Sequence, residues 1–325
     1  MASTLDQSFS VGKESTYGTV VSLARAFEVD ADGWKRQQES IPSVGMRPGL
    51  QGEGSDRQKT VVMGAQGKTK FEVLNKGLGL LLQSLGTTTG PTQQGATAAY
   101  KTTVTSATAS PAIYYTAQMQ RVDSSDTVRP FTYPGSTITK WKWSHQVGGL
   151  LEAELDWDAR TESTATAAGS AVSPTTATTY DWTQLQCTIN GTEYCLANVD
   201  LEIDLGLKTN RRLMCATSAG LKRAPKRAAV PTVTGALKGE FDDLTNFALY
   251  TAGTIVPIVL TWTGASIGGG NNFSITITMA ACKLEGDTPE SSLTDLTMQP
   301  LPFKALYDGT NPMYKIEYQS TDTTL

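Results

Sequence analysis

The sequence predicts a mainly β protein in two tandem halves, each a small β-sandwich or open barrel with one flanking α-helix. Three observations carry this expectation. Thr, Ser, Ala and Gly are abundant, and short alternating segments recur between Gly, Pro and Asn, the punctuation of strands and turns. Apolar residues make up 39% of the 325, enough for a sizeable core, yet charged residues reach only 18%, below the roughly 25% of an average protein. A surface so short of charge is expected to be covered by protein partners. Finally, one order of elements runs twice, on either side of the Ser/Thr/Ala-rich tract 161–180, which is read as a linker between a first domain (1–160) and a second (181–325).

The repeat opens in the first half with Ala26-Phe27-Glu28-Val29-Asp30-Ala31-Asp32, apolar and acidic in alternation as a half-buried strand requires, and in the second with Val199-Asp200-Leu201-Glu202-Ile203-Asp204-Leu205. A long charged loop follows each, 35–60 and 208–229. Strands are expected next at 61–73 and 230–241, carrying the similar pieces Gly67-Lys68-Thr69-Lys70-Phe71-Glu72 and Leu237-Lys238-Gly239-Glu240-Phe241. Then comes one helix per half. Asn75 is placed to cap 76–85, with Leu78, Leu81, Leu82 and Leu85 on one face and Gly86 as the stop. Asp242 or Asp243 is placed to cap 244–252, with Leu244, Phe247, Ala248 and Gly253 in matching roles. Strands close each half at 113–120, 137–143 and 149–157, and at 255–263 and 273–284, the last two joined through a turn at Gly268-Gly269-Gly270. The tract 87–112 is read as a further low-complexity segment.

Several function classes fall away. A net charge of −4 offers no basic footprint for tight nucleic-acid binding. No run approaches eighteen apolar residues, and the first residues lack the basic and apolar regions of a signal peptide, so a soluble cytosolic product without a membrane partner is expected. Cys187, Cys195, Cys215 and Cys282 form no CxxC pair and are expected to be reduced and buried. His145 is the one imidazole, which argues against a zinc site and against a catalytic triad. Gly12-Lys13 lacks both the upstream glycine and the following Ser or Thr of a phosphate loop, while Asn190-Gly191-Thr192 and Asn272-Phe273-Ser274 read as turns. No cofactor, metal or catalytic residue is expected.

Charge patterning is more informative. Glu28, Asp30 and Asp32 would share one strand face, as would Asp200, Glu202 and Asp204, with a third row at Glu152, Glu154, Asp156 and Asp158. The loop 208–229 holds Lys208, Arg211, Arg212, Lys222, Arg223, Lys226 and Arg227 with no acid between them and no aromatic platform for bases. It reads as a surface that docks on an acidic neighbour.

Val11-Gly12-Lys13-Glu14-Ser15-Thr16-Tyr17-Gly18-Thr19, Gly206-Leu207-Lys208-Thr209-Asn210-Arg211 with Ser218-Ala219-Gly220-Leu221, and Leu301-Pro302-Phe303-Lys304-Ala305-Leu306-Tyr307-Asp308-Gly309-Thr310-Asn311-Pro312 before a strand at 313–318 together resemble siphophage major tail tube proteins. The resemblance covers nearly the whole chain. It implies a β-sandwich with a helix, rings stacked into a hollow tube, a lumen lined by strands and a long loop reaching the adjacent ring. It also implies contacts with the tape measure, tail terminator and distal tail proteins, non-specific passage of double-stranded DNA, and a place in the virion tail after assembly in the host cytoplasm. Two tube-like halves per chain imply three chains per ring with pseudo-sixfold symmetry, six chains being the alternative. Glu28, Asp30, Asp32, Asp200, Glu202 and Asp204 are then the lumen candidates. The inter-ring loop candidates are Arg47, Arg57, Arg211, Arg212, Lys222, Arg223, Lys226 and Arg227. Another phage β-structural protein, of baseplate or capsid, is the rival reading.

Overall fold

The computed structural model describes residues 7–43, 45, 49, 55–109, 112–170, 173–215, 219–286, 288–289 and 296–325. The first half supplies β1 (Ser8–Glu14), β2 (Arg25–Phe27), β3 (Ala31–Asp32), β4 (Lys35–Ile41), β5 (Lys59–Glu72), α1 (Gly79–Leu82), β6 (Thr87–Gln93), β7 (Tyr100–Thr105), β8 (Tyr114–Val122), β9 (Val128–Gln146) and β10 (Glu152–Ala159). The second supplies β11 (Leu185–Ile189), β12 (Thr192–Glu193), β13 (Asn198–Asp204), β14 (Leu207–Lys208), β15 (Lys226–Arg227), β16 (Thr232–Glu240), α2 (Thr245–Thr251), β17 (Ile255–Gly268), β18 (Asn271–Leu284), β19 (Met298–Ala305) and β20 (Lys315–Ser320). The fold is mainly β, and every strand pair is antiparallel.

In the first half the pairing order is β5–β10–β9–β8–β1. In the second it is β16–β19–β18–β17–β11. The order of these five strands is the same, although β6 and β7, between α1 and β8, have no counterpart between α2 and β17. The acidic segments take matching places too, β3 on β5 and β13 on β16. The two halves are joined edge to edge: the last residues of β9 pair with β13, from Lys140 opposite Asp204 to Gln146 opposite Asn198. A second joint links β7 to β20, from Tyr100 opposite Ser320 to Thr105 opposite Lys315. Hydrogen bonding therefore runs through the 160/181 boundary without a break, and one hydrophobic cluster fills both halves.

The tract 161–180 lies against the first half. Gln118 and Gln120, both buried, donate to the Ala167 and Gly169 carbonyls (3.0 and 2.7 Å), and Ser163 bridges Thr132. The tract 87–112 is largely strand, as β6 and β7; its threonines are β-branched and suit a pleated surface despite their low complexity. The acidic segment 26–32 is not one strand. It is split into β2 on β1 and β3 on β5, with Glu28 to Asp30 between them.

Both helices are shorter than expected, for identifiable reasons. Gly77 holds φ +86, outside helical space, and Asn75 is buried with its amide spent on Thr178, donating to the hydroxyl (2.8 Å) and accepting from the backbone N–H (3.0 Å). Asn75 therefore caps nothing, and α1 is one turn continued by a 3₁₀ turn at Gln83–Leu85. Its apolar face is as expected, with Leu78, Leu81, Leu82 and Leu85 buried. Gly86 ends it by close approach, since a Cβ there would lie 1.9 Å from the Thr105 carbonyl oxygen. A turn this short cannot satisfy its own carbonyls. Tyrosine hydroxyls do so from outside: Tyr115 donates to Leu80 O (2.8 Å) and Tyr314 to Leu85 O (2.5 Å), while Tyr318 donates to Asn75 O (3.0 Å) ahead of the turn. Around α2 the Asp243 carboxylate accepts from Thr245 N (2.7 Å), but the face that packs is Leu249 and Tyr250; Leu244 and Ala248 are exposed, which corrects the expected face.

Aromatic rings fill the core where the halves meet. Trp141 stacks on Trp143 (5.3 Å), Trp143 on Trp262 of the second half (6.4 Å), and Trp262 Nε1 donates to His145 Nδ1 (2.9 Å). Burial lowers the His145 pKa, so it serves as a neutral acceptor inside the core. Replacing Tyr314 by Phe should leave the Leu85 carbonyl buried and unpaired. An expected loss of about 1 to 3 kcal/mol would be read as a lower midpoint in urea.

Candidate assembly surfaces

One face of the continuous sheet is apolar and buried, through Phe71, Ala153, Leu155, Trp141, Trp143, Leu201 and Ile203. Alternation then obliges the other face to present the residues between them. In strand order these are Lys68 and Lys70 on β5, Glu152, Glu154 and Asp156 on β10, Lys140 and Lys142 on β9, and Asp200, Glu202 and Asp204 on β13. Columns of cations and carboxylates thus alternate across four strands. Lys68 reaches Glu154 (2.5 Å), Lys70 reaches Glu152 (2.8 Å), Lys140 reaches Glu202 and Asp204 (3.0 and 3.1 Å) and Lys142 reaches Asp200 (3.4 Å). Four lysines against these six carboxylates and Glu72, which ends β5 opposite Glu152, leave the face three charges negative. Such half-exposed pairs stabilise by only about 0.2 to 1 kcal/mol each, so their effect is on surface character more than on folding.

The structure brings the second and third acidic rows onto this face and leaves the first off it. Asp32 pairs in register with Thr69, whose side chain faces the core, and its carboxylate takes the Arg121 guanidinium on β8. Glu28 and Asp30 are exposed near Glu72 along a groove of 480 Å³ beyond β5. The four ladder lysines were absent from the sequence candidates. Their spacing at positions 68/70 and 140/142, matching the acidic period of two, was the available signal.

Asp158 keeps the face of its row but loses its exposure: β10 pairs with β5 without a break as far as Gln66, the extra residue of the bulge is Thr139 on β9, and the second-half loop covers the carboxylate. There it meets Lys222, which reaches over from the second-half loop: Lys222 Nζ lies 2.6 Å from Asp158 Oδ1, and both side chains are 3% exposed. Burial raises the Asp158 pKa, with the Lys222 hydrogen bond acting against it. Lys222 is thus an internal pin and not a free docking cation, which corrects its place among the loop candidates.

Other cations of the loop are also engaged within the chain. Arg211 donates to Ala224 O (2.5 Å), Arg212 to Met63 O, and Arg227 to Leu205 O (3.2 Å) and Thr108 O (2.9 Å). Arg223, Lys226 and Arg57 are exposed, and Arg47 lies outside the described residues. The thiols divide: Cys187 and Cys282 are buried, with pKa pushed up to about 12, whereas Cys195 and Cys215 are exposed in loops, contrary to expectation. Among the described residues no three His, Cys, Asp or Glu side chains are grouped to hold a metal ion, and no helix is long and apolar enough to cross a membrane.

The chain is thus a mainly β protein whose continuous antiparallel sheet bears one charged face, with a long loop pinned against it. A family model described as phage tail tube protein matches residues 4–305, and the chain belongs to that family, a structural component of the phage tail. No curated protein matches it.

Replacing Lys222 by Ser strands a carboxylate in the interior. A loss of about 3 to 5 kcal/mol is expected, against less than about 0.5 kcal/mol for Arg223→Ser or Lys226→Ser on the exposed side of the same loop. Because the folded pKa of Asp158 is raised, the Lys222→Ser penalty should be relieved below the ordinary carboxyl range and grow as pH rises through the raised value. Denaturant midpoints across pH would check both the ranking and the sign.

Proposed function

We propose that the chain polymerises into stacked rings forming a hollow tube through which double-stranded DNA passes, three chains to a ring with pseudo-sixfold symmetry. The observation that carries this is the pairing order used twice in one chain, with the two copies already joined edge to edge through β9 and β13. Each half then stands for one tube domain, and the internal joint is repeated between chains. In this reading the charged ladder lines the lumen. DNA carries one negative charge per about 1.7 Å of axis, so a wall of free lysines would hold it. Here each ladder lysine is neutralised by a carboxylate and the surplus is negative, which repels DNA only within a Debye length of roughly 8 to 10 Å.

Asp200, Glu202 and Asp204 are the lumen residues of this reading, joined by Glu152, Glu154 and Asp156. Glu28, Asp30 and Asp32 flank β5 in the position that β13 holds on β16, and belong to the junction between chains. Arg57, Arg223 and Lys226 serve contact between rings. Tape measure, terminator and distal tail proteins are the further partners, assembly takes place in the host cytoplasm, and the protein catalyses nothing.

Electron microscopy of the purified chain is expected to show long hollow rods, and a reconstruction three chains per ring; six chains, with only one half of each lining the channel, would refute the stoichiometry. Changing Asp200, Glu202 and Asp204 to Lys is expected to leave rods intact while lowering DNA delivery. Unchanged infectivity of phage carrying that wall would show that lumen charge has no role.

A further inference from the structure

At the end of the sheet far from the pinned loop, a cleft of 170 Å³ opens between β12, the start of β19 and α2. Glu193, Asp242 and Asp243 line it, all exposed, and no lysine or arginine among the described residues forms an ion pair with them. The Thr245 backbone N–H holds the Asp243 carboxyl below its ordinary range, so it is anionic. At the wall sits Gln299, 2% exposed, whose Nε2 donor has no hydrogen-bond partner. Leaving such a donor buried and unpaired costs free energy that a bound acceptor would recover. A bare cation satisfies the carboxylates and leaves Gln299 orphaned. A peptide segment satisfies both, its cationic side chain meeting the acids and a main-chain carbonyl meeting the amide.

The second surface is the exposed edge of the basic loop. Arg223 follows the pinned Lys222, which fixes where it is presented, and Arg223 and Lys226 form no ion pair among the described residues. The register places the two surfaces at opposite ends of the same strands. β13 runs from Asn198, opposite Lys238 on the cleft side, to Asp204, opposite Thr232, where the loop departs. Seven residues of strand separate these ends by on the order of 20 Å. With Lys222 anchored at one end, a chain cannot fill its own cleft, so the complementary surfaces can meet only between copies. Such a head-to-tail contact leaves one free surface of each kind and propagates.

We propose that the cleft of Glu193, Asp242, Asp243 and Gln299 receives Arg223 and Lys226 of a second copy in the next ring. This rests on the stacked-ring reading and names the docking partner within it. The test uses the full chain and follows rod growth by light scattering and electron microscopy, with circular dichroism confirming that each variant is folded. Asp242→Lys with Asp243→Lys should slow elongation at least tenfold, and Arg223→Glu with Lys226→Glu should do the same. All four changes together should restore elongation by exchanging the partners' signs. The neutral pair Asp242→Asn and Asp243→Asn, which keeps the loop shape, should flatten the salt dependence of growth. Wild-type elongation by the acid-reversed variant would overturn the cleft assignment, and failure of the fourfold exchange to restore growth would overturn the pairing. Absence of rods from the unsubstituted chain would instead overturn the tube reading and this docking with it.

Discussion

The nineteen residues of β9 pass through two surroundings, and most of the architecture follows from that passage. Its first part pairs with β8. Its second part lies between β10 and β13, where it is the seam between the halves. Side chains there alternate Lys140, Trp141, Lys142, Trp143, so a slip of one residue would drive two lysines into the core and expose two indoles. Burial of large aromatics thereby fixes the register to a single solution. That register aligns the lysine column against both acidic columns.

Electrostatics works at two depths. The ladder pairs are half-solvated, individually weak and collectively set the character of a surface. The Lys222–Asp158 pair is dry, and its contribution is positional: a buried charge tolerates few geometries, so the loop that carries it is held in one place. A chain with a modest share of charged residues has placed many of them where they neutralise one another.

Strand content was legible in the sequence because alternation survives in the folded chain: Val199 to Asp204 is a strand with acids out and aliphatics in, as its pattern requires. What the sequence hid depends on long-range contacts. Asn75 has the form of a helix cap, yet its amide is claimed by Thr178, over a hundred residues away. Asp158 reads as the fourth member of a solvated row, and only the loop that carries Lys222 buries it. Lys222 looks like any cation of a basic loop until Asp158 is opposite it. Threonine-rich β6 and β7 lack the apolar alternation that would mark them, because their order comes from pairing with each other and with β20.

The joint between β7 and β20 has a consequence in time. β7 lies near residue 100 and its partner near 320, so the ribosome must add more than two hundred residues before that edge can be covered. At about 5 to 20 residues per second the interval is on the order of 10 to 40 s, during which the β7 edge and the carbonyl awaiting Tyr314 are open to other chains. Lys101 and the threonines along β7 make that edge polar, a property that discourages pairing with a stranger during the wait. The first half is thus synthesised long before its last edge is covered, and a polar edge is what it presents until β20 pairs with it.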